Sequence, residues 1–141
     1  MNPPDFINTI YLGDRACKGL KIESWNKIVR IHVDLISRVR DPSGRWNYYV
    51  GEDIEDGEMV FTDVDAFSMT PPGLIPNDYI DGIEIIEIIK ISDGKILYIF
   101  EVNIGSVDSD PKIMPSAVIL RITASGVHLE DPKKPGVMIT E

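Results

Sequence analysis

The chain has 141 residues, 43% hydrophobic and 26% charged, with a formal net charge of −9, one cysteine and two histidines. That size and balance fit one ordinary soluble domain, 1–141, with a real core, and exclude wholesale disorder or a disulfide framework. No apolar run nears the roughly 20 residues that span a bilayer, and an acidic chain is a poor match for nucleic-acid phosphates.

The start, Met1-Asn2-Pro3-Pro4-Asp5, lacks the basic and apolar blocks of a signal peptide, and the lone Cys17 suits a reducing cytoplasm. Charge is uneven along the chain: residues 1–40 carry +3, 41–81 carry −9 and 82–141 carry −3. The acidic surplus therefore sits in the middle, as an anionic patch requires.

In chain order, Pro3 and Pro4 suit the start of a short helix over 5–11, with Phe6, Ile7, Ile10 and Tyr11 at helical spacing and Gly13 ending it. From 17 to 39 the period changes to two. Leu20, Ile22, Val29, Ile31, Val33 and Leu35 share one face and Lys21, Glu23, Arg30, His32 and Asp34 the other, which predicts a hairpin turning at Trp25-Asn26. Asp41-Pro42-Ser43-Gly44 reads as a turn and 51–57 as an exposed acidic loop. Met59, Phe61 and Val64 then alternate imperfectly, as a bulged strand would.

Residues 79–103 are two Ile-rich runs around Asp93-Gly94, a strong hairpin signal because both turn positions need positive φ. A two-residue loop would pair Ile91 with Ile96, Ile89 with Tyr98 and Ile85 with Val102. The inward face would then be Ile85, Ile89, Ile91, Ile96, Tyr98, Phe100 and Val102. The opposite face carries Ile86, Ile88, Leu97 and Ile99, so this hairpin needs cover on both sides. Gly19–Ile22 matches Gly82–Ile85 at a shift of 63, and Val29–Val33 matches 96–100 at a shift of 67, which makes internal duplication one of two open readings. Residues 105–115 read as a loop and 117–123 as a strand with Val127-His128-Leu129 as its short partner. In the tail, 137–139 is a candidate edge strand. The expected fold is mainly β: an antiparallel sandwich or partly closed barrel built on two hairpins, with a short N-terminal helix.

If Ser24 pairs with Lys27, Cys17 lies across from Asp34 with His32 diagonal to it, a set that could make a thiolate nucleophile. The simpler reading is a semi-buried thiol beside a solvated face, and an open strand face lacks the concavity catalysis wants. Asp63-x-Asp65, Asp108-x-Asp110 and 53–58 are oxygen-rich but lack the ligand set of a calcium loop, and no cofactor or metal is expected. The feature with most functional content is Glu52, Asp53, Glu55, Asp56 and Glu58 beside Trp46, Tyr48 and Tyr49. Dense charge of one sign next to aromatic anchors is how an interface with a basic protein is built. The twice-apolar hairpin leaves a homodimeric structural module as an alternative.

FINTIYLGDRACKG at 6–19, SRVRDPSGRW at 37–46 and IPNDY at 75–79 resemble a small bacterial family of uncharacterised single-domain proteins. In style the chain is similar to immunity proteins of contact-dependent and polymorphic toxin systems, which bind and block a cognate toxin. That resemblance implies a non-enzymatic cytoplasmic binding protein and transfers no residue roles.

Overall fold

A computed structural model describes residues 1–41, 43, 51–107, 112 and 116–141. Helix α1 (Pro3–Ile7) is followed by β1 (Ile10–Tyr11), β2 (Arg15–Glu23), β3 (Ile28–Val33), β4 (Leu35–Arg38) and β5 (Ile54–Glu55). Then come β6 (Glu58–Thr70), β7 (Tyr79–Lys90), β8 (Ile96–Gly105) and β9 (Ala117–Glu130). The helix is shorter than its periodicity predicts. Asn2 caps it, but five residues hold poorly alone, and Ile10 and Tyr11 are drawn into pairing with Arg38 and Ser37.

Six strands close a barrel in the order β2-β3-β6-β9-β8-β7, and β1-β4-β5 form a separate small sheet. The barrel is two three-stranded meanders, β2-β3-β6 and β7-β8-β9, joined third strand to third and first to first. The β6–β9 junction is long, from Glu58↔Glu130 to Thr70↔Ile119, whereas the β2–β7 seam has only Arg15↔Ile80 and Ala16↔Tyr79. Of the two expected forms, a sandwich or a partly closed barrel, the barrel is the one observed, and it is fully closed.

The repeat extends through the bulges. Cys17↔Val33, Leu20↔Ile31 and Ile22↔Val29 in the first hairpin correspond to Ile80↔Ile104, Ile83↔Val102 and Ile85↔Phe100 in the second. A bulge precedes Gly19 in one and Gly82 in the other. The first strands match at the expected shift of 63, but the second strands match at 71, not 67. Val29, Ile31 and Val33 therefore correspond to Phe100, Val102 and Ile104, all buried. The four-residue difference preserves face, so alternation alone could not detect it. Phe61 and Phe100 meet edge to face at 5.0 Å where the two halves join.

The second hairpin is one residue out of the expected register. Asp93 and Gly94 do take positive φ, but the loop includes Ser92 and closes with the Ile91 amide donating to the Lys95 carbonyl at 2.8 Å. Lys90 then faces Ile96 and Ile88 faces Tyr98, and a bulge at Ile86 sets Ile85 opposite Phe100, two residues from its expected partner Val102. Ile89 and Ile91 are therefore not part of the inward face. Leu97 on the second face is covered, while Ile86 (44%), Ile88 (52%) and Ile91 (40%) stay exposed.

β9 runs unbroken to Glu130, so Val127-His128-Leu129 pair with β6 and are not a return strand. Gly126 permits this: a Cβ there would meet Thr62 Oγ1 at 2.7 Å. Ile139 bridges to Leu129 through two backbone hydrogen bonds, which ties the tail to β9. The bulge expected in β6 lies between Val64 and Ala66. Beside it Asp63, at φ 52, pairs with Lys27 and Lys95 from the two hairpin loops. The 105–115 loop falls largely outside the described residues.

Candidate functional site

Residues 34–57 are an insertion between β3 and β6, and they carry the acidic segment. Its two ends are stitched together: Val33 N–H donates to the Gly57 carbonyl and Asp56 N–H to the Asp34 carbonyl. Gly57 has to be glycine, since a Cβ would meet Ile54 and Ile36 at 2.8 and 2.9 Å. The segment is not a free loop. Ile54 is buried and, with Glu55, forms β5 against β4.

The carboxylates are spent unevenly. Arg40 grips Glu52 with Nε and Nη2 at 2.9 and 2.8 Å. Asp56 accepts from Lys18 at 3.0 Å and pairs with His32 Nε2 at 3.1 Å, while Glu55 lies 3.4 Å from Lys133. Glu58 and Glu130 are direct cross-strand partners, a like-charge pair that would repel. Arg30 resolves this by reaching Glu58 at 2.8 Å, Glu130 at 2.5 Å and Glu23 at 2.7 Å. Three carboxylates share one guanidinium, so the cluster remains anionic. His128, buried, adds a contact to Glu130 at 3.1 Å.

These contacts move the titrations. Hydrogen bonding from Arg40 holds Glu52 below the usual carboxylate range, and bonding from Lys18 and then His32 does so for Asp56. Glu130 is raised by burial, but the hydrogen bonds from His128 and Arg30 together outweigh that and leave it lowered.

Asp56, Glu58, Glu130 and Asp131 line one cleft of about 240 Å³, with Lys134 on its wall. A second cleft of about 220 Å³ adjoins it through Asp131 and Lys134, and is lined by Arg38, Arg40, Glu52 and Asp53. The structure thus gathers the expected Glu52, Asp53, Asp56 and Glu58 around two neighbouring hollows, with Glu55 next to Asp56 in sequence. Trp46, Tyr48 and Tyr49 lie outside the described residues. Glu130, Asp131, Lys134 and Arg38 were missed by sequence reasoning. Only the Glu58↔Glu130 register brings the first two here, and no local pattern encodes that pairing.

Cys17, His32 and Asp34 are not assembled. The bulge at Lys18 places Cys17 opposite Val33 on the inward side, where it is buried. Burial pushes its thiol up, against the weaker effect of a contact to the Gly19 carbonyl. His32 turns outward to Asp56, and Asp34 Oδ1 accepts from the amides of Ala16 and Leu35. Among the described residues no group of three or more His, Cys, Asp or Glu is placed to hold a metal, and no helix is long and apolar enough to cross a membrane.

Searches of curated proteins and of solved structures return no match. A family model does match, over residues 1–141, and its description names no activity or partner. The chain belongs to that family, a family of unknown function (DUF6258).

Proposed function

We propose that this is a non-enzymatic binding protein whose acidic face docks a basic protein partner and occludes it, in the manner of an immunity protein acting on a toxin in the cytoplasm. One observation carries the reading: Asp56 and Glu58 from one stretch and Glu130 and Asp131 from another converge on a single cleft. Such convergence gives a field that steers a basic partner and polar acceptors that fix its register. The ion pairs around the cleft hold the carboxylates in place before the partner arrives, which lowers the ordering cost of binding.

The test is titration against the product of the adjacent gene, with Glu55→Lys/Asp56→Lys and the neutral Glu55→Gln/Asp56→Asn. Affinity should fall about a hundredfold or more for the reversed pair and by less for the neutral pair, with a shallower salt dependence in both. Unchanged affinity and salt slope in variants that melt like the parent would remove this face from the function.

A second reading is favoured by the exposure of Ile86 and Ile88 on β7 and of Ile91 just after it, where the strand's outer edge has no partner beyond Ile80 among the described residues. It is a homodimeric structural module joined through β7. Against it, β7 carries two bulges and the charges Glu84, Glu87 and Lys90, devices that protect an edge from pairing.

A further inference from the structure

The tail beyond β9 is the least secured segment bordering the acidic face. It leaves β9 at Glu130, turns through 131–138 and returns at Ile139. The Ile139 amide donates to the Leu129 carbonyl at 2.9 Å, and its carbonyl accepts from the Leu129 amide at 3.0 Å. Among the described residues that is the tail's one ladder pair, whereas the β6–β9 junction runs from Glu58↔Glu130 to Thr70↔Ile119. Within the turn the Asp131 carbonyl accepts from the Lys134 amide and Asp131 Oδ1 from the Lys133 amide, both at 2.9 Å. Every residue from 132 to 138 is exposed, and only Ile139 packs against the core. A segment held so sparsely opens locally at far less cost than the barrel does.

This turn is basic and lies on acidic ground. Residues 132–140 contain Lys133 and Lys134 and no acid. Lys133 Nζ is 3.4 Å from Glu55 Oε2, with both side chains more than two-thirds exposed. Residues 131, 132 and 134–136 complete the cleft that gathers Asp56, Glu58 and Glu130. Past Ile139, the Glu141 carbonyl accepts from Arg40 Nη2 at 3.0 Å, the same guanidinium that grips Glu52. The tail thus makes, from within the chain, the kind of contact a basic partner would make. An exposed ion pair holds weakly, so the Lys133 contact exchanges readily for another cation.

We propose that the tail is an autoinhibitory strap: Lys133 and the turn around it occupy part of the acidic face, and a basic partner docks by taking their place and opening the Leu129–Ile139 bridge. The inference rests on the acidic face being the docking surface. A tethered competitor is always present at high local concentration, so the strap discriminates among partners. A weakly basic protein leaves it closed, and a partner with a dense basic patch displaces it. Linkage is reciprocal, so whatever loosens the strap must strengthen binding of the cation by the same factor.

Hexalysine is the probe, titrated into the full ¹⁵N-labelled chain. It should shift the amides of 55–58 and Glu130 saturably and speed hydrogen exchange at the Ile139 amide at least about tenfold. Ile139→Ala loosens the bridge without changing charge, and it should bind hexalysine about three- to tenfold more tightly with the core amide spectrum unchanged. Shifts at 55–58 with Ile139 exchange unaltered, and parent-like affinity in Ile139→Ala, would overturn the strap and leave the docking surface standing. Weaker binding by Ile139→Ala would make the tail part of the docking surface, the opposite of a strap. No shift at 55–58 would overturn the docking surface and the strap with it.

Discussion

The two hairpins of the barrel begin alike and end differently. Both start from a bulge before a glycine and carry three equivalent cross-strand pairs whose β3 and β8 members are all buried. Beyond Ile22↔Val29 the first adds one pair and turns at an exposed Trp25. Beyond Ile85↔Phe100 the second adds four pairs and ends in exposed isoleucines. Their outer faces diverge as well. At equivalent strand positions Arg30 sits among three carboxylates, whereas Glu101 has a single cross-strand pair with Arg121 at 3.0 Å. The shared part is what the core requires. In the divergent parts one half carries an insertion with a polar face and the other an apolar arm.

The core should show this asymmetry most strongly. Phe100 and Val29 are equivalent and both fully buried, but only Phe100 packs its ring against Phe61. Phe100→Ala should cost about 3–5 kcal/mol and Val29→Ala about 2 kcal/mol, by urea unfolding. Equal losses would mean that the two halves share the core evenly. The outer faces come next. Arg30→Met leaves Glu58 facing Glu130 and should cost about 1–2 kcal/mol after solvent screening, while Glu101→Gln should stay within about 0.5 kcal/mol.

Acid should separate the two faces. The folded-state pKa values of Glu52, Asp56 and Glu130 are depressed, so their stabilisation is present above the unfolded-state values near 4 and is lost as pH falls through the folded ones. The melting temperature should therefore drop below about pH 4, and less steeply in Arg30→Met, where one of the depressing contacts is gone. At the alkaline end Cys17 has the opposite sign. Its pKa is raised, so its contribution is complete below the ordinary thiol value and fades as pH rises through the folded one. Thiol labelling of the native protein at pH 8 should accordingly be far slower than in urea, and fast labelling would revive Cys17 as a nucleophile. The smallest effect belongs to the apolar arm: Ile88→Lys should change stability by less than about 0.5 kcal/mol. Sedimentation of the parent as a dimer, reduced to monomer by that change, would instead promote the arm to an interface.

Period-two alternation was enough to predict the barrel's strands, the β6 bulge and the Ser24–Lys27 turn, because each rests on local pattern or turn chemistry. It could not locate the loop residue Ser92, the bulge at Lys18 or the continuity of β9 through Ser125-Gly126. The last of these is decided by a neighbouring strand, where Thr62 lies against Gly126. The acidic segment 51–58 was legible as a run of charge, yet its partners Glu130, Asp131 and Arg38 lie far away in sequence. Arg38 reads as one more surface cation until Phe6 and Thr9 are seen around it.

Which of the two divergent regions would meet the proposed partner is the central question, and amide hydrogen exchange of the protein mixed with the adjacent gene's product answers it most directly. Protection gained over 52–58 and 128–131, with Gly82–Lys90 unchanged, is the result the acidic-face account predicts. Protection confined to Gly82–Lys90 would contradict it and hand the function to the apolar arm.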